Sequence, residues 1–326
     1  MSQATISVII PAYNREDFIE KAINSVLRQT FRDWELILVD DGSEDRTGQI
    51  CDRQASTDPR IRSIHIAHSG VSEARNAGMR MANGTWTVFL DSDDVYSPTA
   101  FEEMLANAEG MDLVTASYYY MNGTAEVPVL PEKRVYTSFS DTFQDLEEVY
   151  RIGFYHQVWG KLYRTSRIRD AFEPGLHSGE DFLFNSTILP KLRNICILPS
   201  VVYGYNYRKN VSCGQKIDMS QLMIEKRILE IWKGFLLPEH ERQLAFVFQH
   251  YIGFILVFLF KLNQIQAVPK PIVKTVANAH LDTIMVDEQE YGYRYLPENT
   301  KRSWQLIREK DIDAIFDLFK EQENAT

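Results

Sequence analysis

Strand-like and amphipathic stretches alternate through the first hundred residues, and this alternation constrains the fold more than any other feature. Thr5–Ile10 (TISVII), Trp34–Val39 (WELILV), Ile61–Ile66 and Trp86–Leu90 are short and rich in β-branched or aromatic residues. That is the pattern of strands buried in a sheet. Between the first two, Phe18, Ile19, Ala22, Ile23, Val26 and Leu27 repeat at helical spacing within Glu16–Gln29. A polar helix is expected over Asp45–Ala55, and a third helix over Val71–Met81, entered after Gly70. Ser97 and Pro98 read as the N-cap and first residue of a fourth. Successive strand–helix units predict an α/β fold with a doubly wound, mostly parallel sheet. In such sheets ligands bind beyond the carboxyl ends of the strands. Asp40-Asp41 and Asp91-Ser92-Asp93-Asp94 stand at two of those ends.

Downstream the pattern loosens. Asp112–Tyr120 and Ile195–Tyr207 read as strands and Phe143–Arg151 as a helix, while Gly179-Glu180-Asp181 opens another. After Asp218 the chain is helical in character, interrupted at Pro269 and Pro271. The expected division is a nucleotide-binding α/β domain over residues 1–214 and a C-terminal helical region over 215–326. The most apolar run, Tyr251–Phe260 (YIGFILVFLF), is about half the length of a bilayer span. It predicts a buried bundle helix and no transmembrane span. The sharper alternatives for this region are a homo-oligomer contact or a peripheral seat on a membrane surface.

Composition removes several classes. A formal net charge of -10 argues against a general nucleic-acid binder, which needs a basic stripe to neutralise phosphates. Cys51, Cys196 and Cys213 are far apart and form no CxxC pair, so neither a disulfide framework nor a zinc site is expected and a cytoplasmic location fits. The N-terminus has no basic segment ahead of its apolar run and reads as a strand rather than a signal peptide. The seven histidines form no HxxxH pair, and no GxSxG, Walker A or GxGxxG sits at a strand–helix junction.

Asp91, Asp93 and Asp94 place three carboxylates in four positions. They repel one another unless positive charge sits between them, and Mg²⁺ or Mn²⁺ supplies it through oxygen ligands. Alternation sets Asp91 and Asp93 on one side of an extended chain, so one can reach a ribose hydroxyl while the other reaches a metal. A solvated acidic turn is the plain alternative. Asp41 could accept from a uracil N–H, or merely cap the Asp41-Gly42-Ser43 turn. In Pro11-Ala12-Tyr13-Asn14, Tyr13 offers a face on which a base can stack and Pro11 a free carbonyl; half-buried packing explains Tyr13 equally well. The Arg75 guanidinium could meet a diphosphate. Glu180-Asp181 either caps a helix or supplies a general base. Trp159, Lys161 and the Tyr205–Arg208 stretch could line an acceptor groove, with Lys161 or Arg208 holding phosphate; taken one by one, each reads more readily as structural.

These segments, taken in order, resemble the family-two glycosyltransferases. SVIIPAYNREDFIEKAINSVLRQTFRDWELILVDDGSEDRT is similar to the opening of that family. GVSEARNAGMRMANGTWTVFLDSDD resembles its middle segment up to the DxD motif, and VWGKLYR and SGEDFLF resemble its later part in bacterial members that build surface polysaccharides. The resemblance spans residues 4 to 208. It implies the GT-A fold, a nucleotide-sugar donor (usually a UDP-sugar), a divalent metal and inversion at the anomeric carbon. By position it implies Pro11, Tyr13 and Asp41 at the base, Arg75 near the donor, Asp91 at the ribose or sugar, and Asp93 on the metal, with Asn14 and Ser92 also counted among the donor-binding residues. It implies Asp181 as catalytic base, Glu180 beside it at the acceptor, and Arg208 and Ser212 near the diphosphate. The QxxRW motif of the family's processive synthases is absent.

The expected activity is sugar transfer from a UDP-sugar to a glycan, a lipid-linked acceptor or a polymer, by one metal-assisted in-line displacement. Two alternatives belong to other classes. A sugar nucleotidyltransferase would carry a Gly-rich basic loop where Pro11–Arg15 stands. A non-catalytic nucleotide-sugar-binding subunit would bind UDP and transfer nothing.

Overall fold

The computed structural model describes residues 4–121, 132–168, 172–176, 178–206, 219–235, 240–264 and 270–323. The chain divides into two compact units, Met1–Cys213 and Gly214–Thr326.

The first unit is built on one sheet. Its strands are β1 (Ile6–Ala12), β2 (Trp34–Asp40), β3 (Ile61–His65), β4 (Trp86–Phe89), β5 (Val95–Tyr96), β6 (Leu113–Tyr120), β7 (Arg134–Ser138), β8 (Lys161–Arg164) and β9 (Arg193–Tyr205). They lie in the order β3-β2-β1-β4-β8-β6-β9-β5, with β7 also paired to β9. The β1, β2, β3 and β4 pairings are parallel, as is β6 with β9. Strand β8 runs antiparallel between β4 and β6, and β5 and β7 run antiparallel to β9. The sheet is therefore mixed but mostly parallel. The strand order reverses beside β1, with β2 on one side and β4 on the other, which opens a crevice at their carboxyl ends.

Helices α1 (Ile19–Leu27), α2 (Thr47–Thr57) and α3 (Val71–Met81) follow the first three strands. Strands β1 and β2 are almost wholly buried, as continuous apolar runs in a covered parallel sheet must be. Pro11 is tolerated in β1 because it lies beyond the Ile6–Ile9 segment paired with β4. Helix α3 lies close against β1: a Cβ on Gly78 would stand 2.4 Å from Ile9 Cγ2.

Some boundaries differ from the sequence reading. Helix α4 (Ala100–Leu105) starts after Ser97-Pro98, which form a preceding turn whose Ser97 carbonyl accepts from Ala100 N–H. Phe143–Arg151 splits into a 3₁₀ turn (Ser140–Asp145) and helix α5 (Leu146–Arg151). Helix α6 (Glu180–Ile188) starts where expected, its N-cap being Gly179 at φ 78°.

The second unit comprises α7 (Met219–Phe235), α8 (Glu241–Asn263), α9 (Lys270–Ile284), α10 (Glu298–Glu309) and α11 (Ile312–Glu323). Buried Phe248 of α8 packs edge-on against Trp304 of α10 at 5.0 Å. The apolar run at Tyr251–Phe260 belongs to a longer helix than expected. Its segment Glu241–Leu262 is long and apolar enough to cross a membrane, with mean hydropathy 1.8. Half of the window that gives this value is buried inside the protein.

Candidate active site

The turns after β1 and β2 are tied together. Asn14, at φ 51°, donates its backbone N–H to Ser43 Oγ and accepts at Oδ1 from Glu44 N–H. Its amide oxygen thus already serves the loop. Asp41 is buried, and its carboxylate organises the turn before α3. It accepts from Ser69 N–H at 2.8 Å and Gly70 N–H at 2.9 Å, while His68 Nδ1 lies 2.9 Å from Oδ2. Both neighbours of Nδ1 are acceptors, so that nitrogen carries the hydrogen. The His68 ring stacks on Tyr13 with centroids 3.9 Å apart. One face of Tyr13 is therefore covered by His68, a residue that no sequence pattern had marked.

Beyond β4, the acidic turn closes on itself. Asp94 N–H donates to the Asp91 carbonyl. Tyr203 Oη accepts from Asp91 N–H and donates to Asp94 Oδ2 at 2.7 Å. Asp94 also accepts from Asn206 N–H at 2.7 Å. Burial pushes its carboxyl up to about 8, so Asp94 is a structural strut rather than an open ligand. Ser92 is buried, whereas Asp91 and Asp93 are half-buried.

Arg75 joins this turn to α6. Nη2 donates to Asp91 Oδ1 at 3.0 Å, and Nη1 to Asp181 Oδ1 at 2.6 Å and Glu180 Oε1 at 3.1 Å. Its side chain is 3% exposed. Burial acts against the charged guanidinium, but the carboxylates, Asp181 foremost, outweigh it and hold the group well above its ordinary range. Asp181 is pushed well above the usual carboxylate range. Burial is the main cause, opposed by Arg75 and reinforced by Glu180 and Asp91. A carboxylate so placed is a base that gains strongly by accepting a proton.

Three carboxylates surround one cation here, and Asp93 adds a fourth nearby in sequence. A divalent cation fits that surplus of negative charge. Among the described residues no three His, Cys, Asp or Glu side chains are grouped as a metal cage.

For Lys161 and Trp159 the structural alternative holds and the groove-lining expectation is corrected. Lys161 does not line a groove or present its amine to phosphate. It is 2% exposed, and its Nζ donates to the Gln157 carbonyl. Trp159 is also buried, stacked on Tyr203 at 4.4 Å and on Tyr205 at 5.4 Å. Tyr118 and Tyr205, which pack against Trp159, and Tyr120 beside them are half-buried and keep some aromatic surface accessible. Arg208 and Ser212 lie outside the described residues.

Residues 7–165 match the model of Glycosyl transferase family 2. The chain carries a family 2 glycosyltransferase domain. The uncharacterized glycosyltransferase EpsJ of Bacillus subtilis (strain 168) is 37% identical over 213 residues, covering 63% of this chain and 62% of EpsJ. Glycosyltransferase GlyA of Streptococcus pneumoniae serotype 4 is 30% identical over 217 residues, covering 63% of this chain and 31% of GlyA. The match thus takes in less than two thirds of either relative. Among solved structures, S. aureus TarS 1–349 in complex with UDP-GlcNAc superposes with a TM-score of 0.79 at 20% identity, covering 98% of this chain and 92% of that one. The likeness extends the shared fold beyond the family 2 domain into the C-terminal helices. It also agrees with a GT-A sheet carrying the acidic turn and α6.

Proposed function

We propose that the chain transfers a sugar from a UDP-sugar to a glycan, lipid-linked or polymer acceptor, with inversion at the anomeric carbon. The observation that carries this reading is the Arg75 junction, which draws Asp91 of the strand-end turn and Asp181 of α6 into one site. Support for the donor class comes from TarS, whose structures hold UDP-GlcNAc and UDP.

In this reading Tyr13, Pro11 and the turn held by Asp41 receive the base. Asp91 and Ser92 meet the ribose or the sugar. Arg75 Nε, buried with no hydrogen-bond partner among the described residues, is a donor left over for an anionic ligand. Asp93 would hold a Mg²⁺ or Mn²⁺ ion, which supplies positive charge against the departing diphosphate. Asp181 takes the proton of the attacking hydroxyl, and Glu180 orients the acceptor. Half-buried Tyr118, Tyr120 and Tyr205 offer faces for sugar rings. The reaction belongs on the cytoplasmic side, in solution or at the inner membrane face.

The test is UDP release from UDP-glucose, UDP-galactose, UDP-GlcNAc and UDP-GalNAc, with and without a cell-envelope glycan extract. One donor should give acceptor-dependent UDP release that EDTA abolishes and Mn²⁺ or Mg²⁺ restores. Full activity in chelator would remove Asp93 from its role, and UDP binding without release from any donor would favour a non-catalytic subunit.

A further inference from the structure

The peptide group joining Gln157 to Val158 is gripped on both sides. Its carbonyl oxygen accepts from Lys161 Nζ and from Asn185 Nδ2, the latter at 2.8 Å. Its N–H donates to Asp181 Oδ2 at 3.4 Å. Asn185 is fully buried on α6, and its Oδ1 accepts from Tyr163 Oη at 2.9 Å. Asp181 is therefore held unequally: Oδ1 by a short charge-assisted bond from Arg75, Oδ2 by a long bond from one amide.

We propose that Lys161 is a positioning residue for sugar transfer, acting on Asp181 through the Gln157–Val158 peptide, and that Oδ2 is the oxygen that receives the acceptor's proton. This rests on the reading of Asp181 as the base. In the step itself the acceptor O–H proton passes to Oδ2. The electron pair of that bond forms the new bond to the anomeric carbon, and the UDP oxygen departs with the pair of the old one. An ammonium on the carbonyl polarises the amide and makes its N–H a better donor. A better donor on Oδ2 fixes the carboxylate plane and favours the anion. The longer, weaker bond leaves Oδ2 free to accept.

Charge supports the geometry. Around Asp181 stand Arg75 from α3, Asp91 from the β4 end, Lys161 and Tyr163 from β8, and Glu180 beside it. Facing Lys161 are Asp181 and the Phe154 ring, whose centroid is 5.8 Å from Nζ. Burial pushes the Lys161 amine down to about 7, against the pull of Asp181. The protonated amine, present below about pH 7, favours the Asp181 anion, and that support weakens as the amine loses its proton above it. Asp181 must be ionised to act, so losing the cation moves the acid limb of kcat to higher pH.

The test uses the full chain, the donor of highest wild-type turnover among the four UDP-sugars, and calorimetric binding of UDP. Lys161→Met should bind UDP within about twofold of wild type and lose about tenfold in kcat at pH 7, less than the roughly hundredfold or greater loss that follows removal of a general base itself. Its acid limb should move upward. Lys161→Arg, which keeps a cation, should restore the limb. A wild-type kcat and limb in folded Lys161→Met would overturn the relay, as would loss of UDP binding together with kcat. Should Lys161→Met fail to fold, Lys161→Gln, which keeps a donor for the Gln157 carbonyl but no charge, decides: a limb moved upward upholds the proposal and an unmoved one overturns it. Asp181→Asn in the same assay separates the two ideas. If it is inactive while Lys161→Met is unchanged, only the relay fails; if it is active, the base assignment itself fails.

Discussion

Arg75 is the residue on which the site depends. It is the cation bonded to Asp91, Glu180 and Asp181, and it is almost wholly out of water. Removing one partner from a buried ionic cluster costs about 3–5 kcal/mol, because the remaining charges stay buried and uncompensated. Arg75→Met should lose stability on that scale in urea unfolding, and UDP turnover with it. A loss below about 1 kcal/mol, as at an exposed ion pair, would mean the carboxylates find water or protons instead. That Asp91, Arg75 and Asp181 merit attention could be read from the sequence because charged residues at strand ends and helix starts stand out from apolar runs. The positions of Lys161, Trp159 and His68 could not. Each depends on which way a side chain turns in a segment whose neighbours are far away in sequence. The VWGKLYR segment carries no local sign that β8 enters the sheet antiparallel and turns its lysine inward.

At the scale of elements, the site is a product of close packing between α3 and β1. Gly78 lets the helix lie against Ile9, and Arg75 sits one turn earlier on the same helix. Gly78→Ala raises helix propensity by up to about 1 kcal/mol, yet its methyl meets Ile9 Cγ2 at an impossible distance. Overpacking of this kind costs about 1–3 kcal/mol. The variant should melt lower and lose turnover while α3 remains helical by circular dichroism; unchanged melting and turnover would show that the interface yields freely. The first four strands and three helices were legible because buried parallel strands form continuous apolar runs and their helices keep a clear period. The middle of the chain was less so. Strand β8 has only four residues, and α6 buries Phe182, Leu183, Phe184, Asn185, Ser186 and Ile188, which leaves no single apolar face to recognise.

At the scale of the whole molecule, the chain is an α/β unit carrying the site and a helical unit built around α8. Neither the sugar nor the acceptor is written in the strand–helix pattern, which fixes the strand ends but not the side-chain directions in the irregular middle of the chain. What the pattern does carry is the placement of the acidic turn at a strand end and of Glu180 and Asp181 at a helix start; the proposed division of labour assigns binding to the first and proton transfer to the second. The most direct test compares wild type with Asp181→Asn for UDP binding by calorimetry and for acceptor-dependent UDP release. The variant should bind UDP as wild type does and release at least about a hundredfold less UDP, the lower range for loss of a general base. Near wild-type release by Asp181→Asn, with UDP binding intact, would contradict the account.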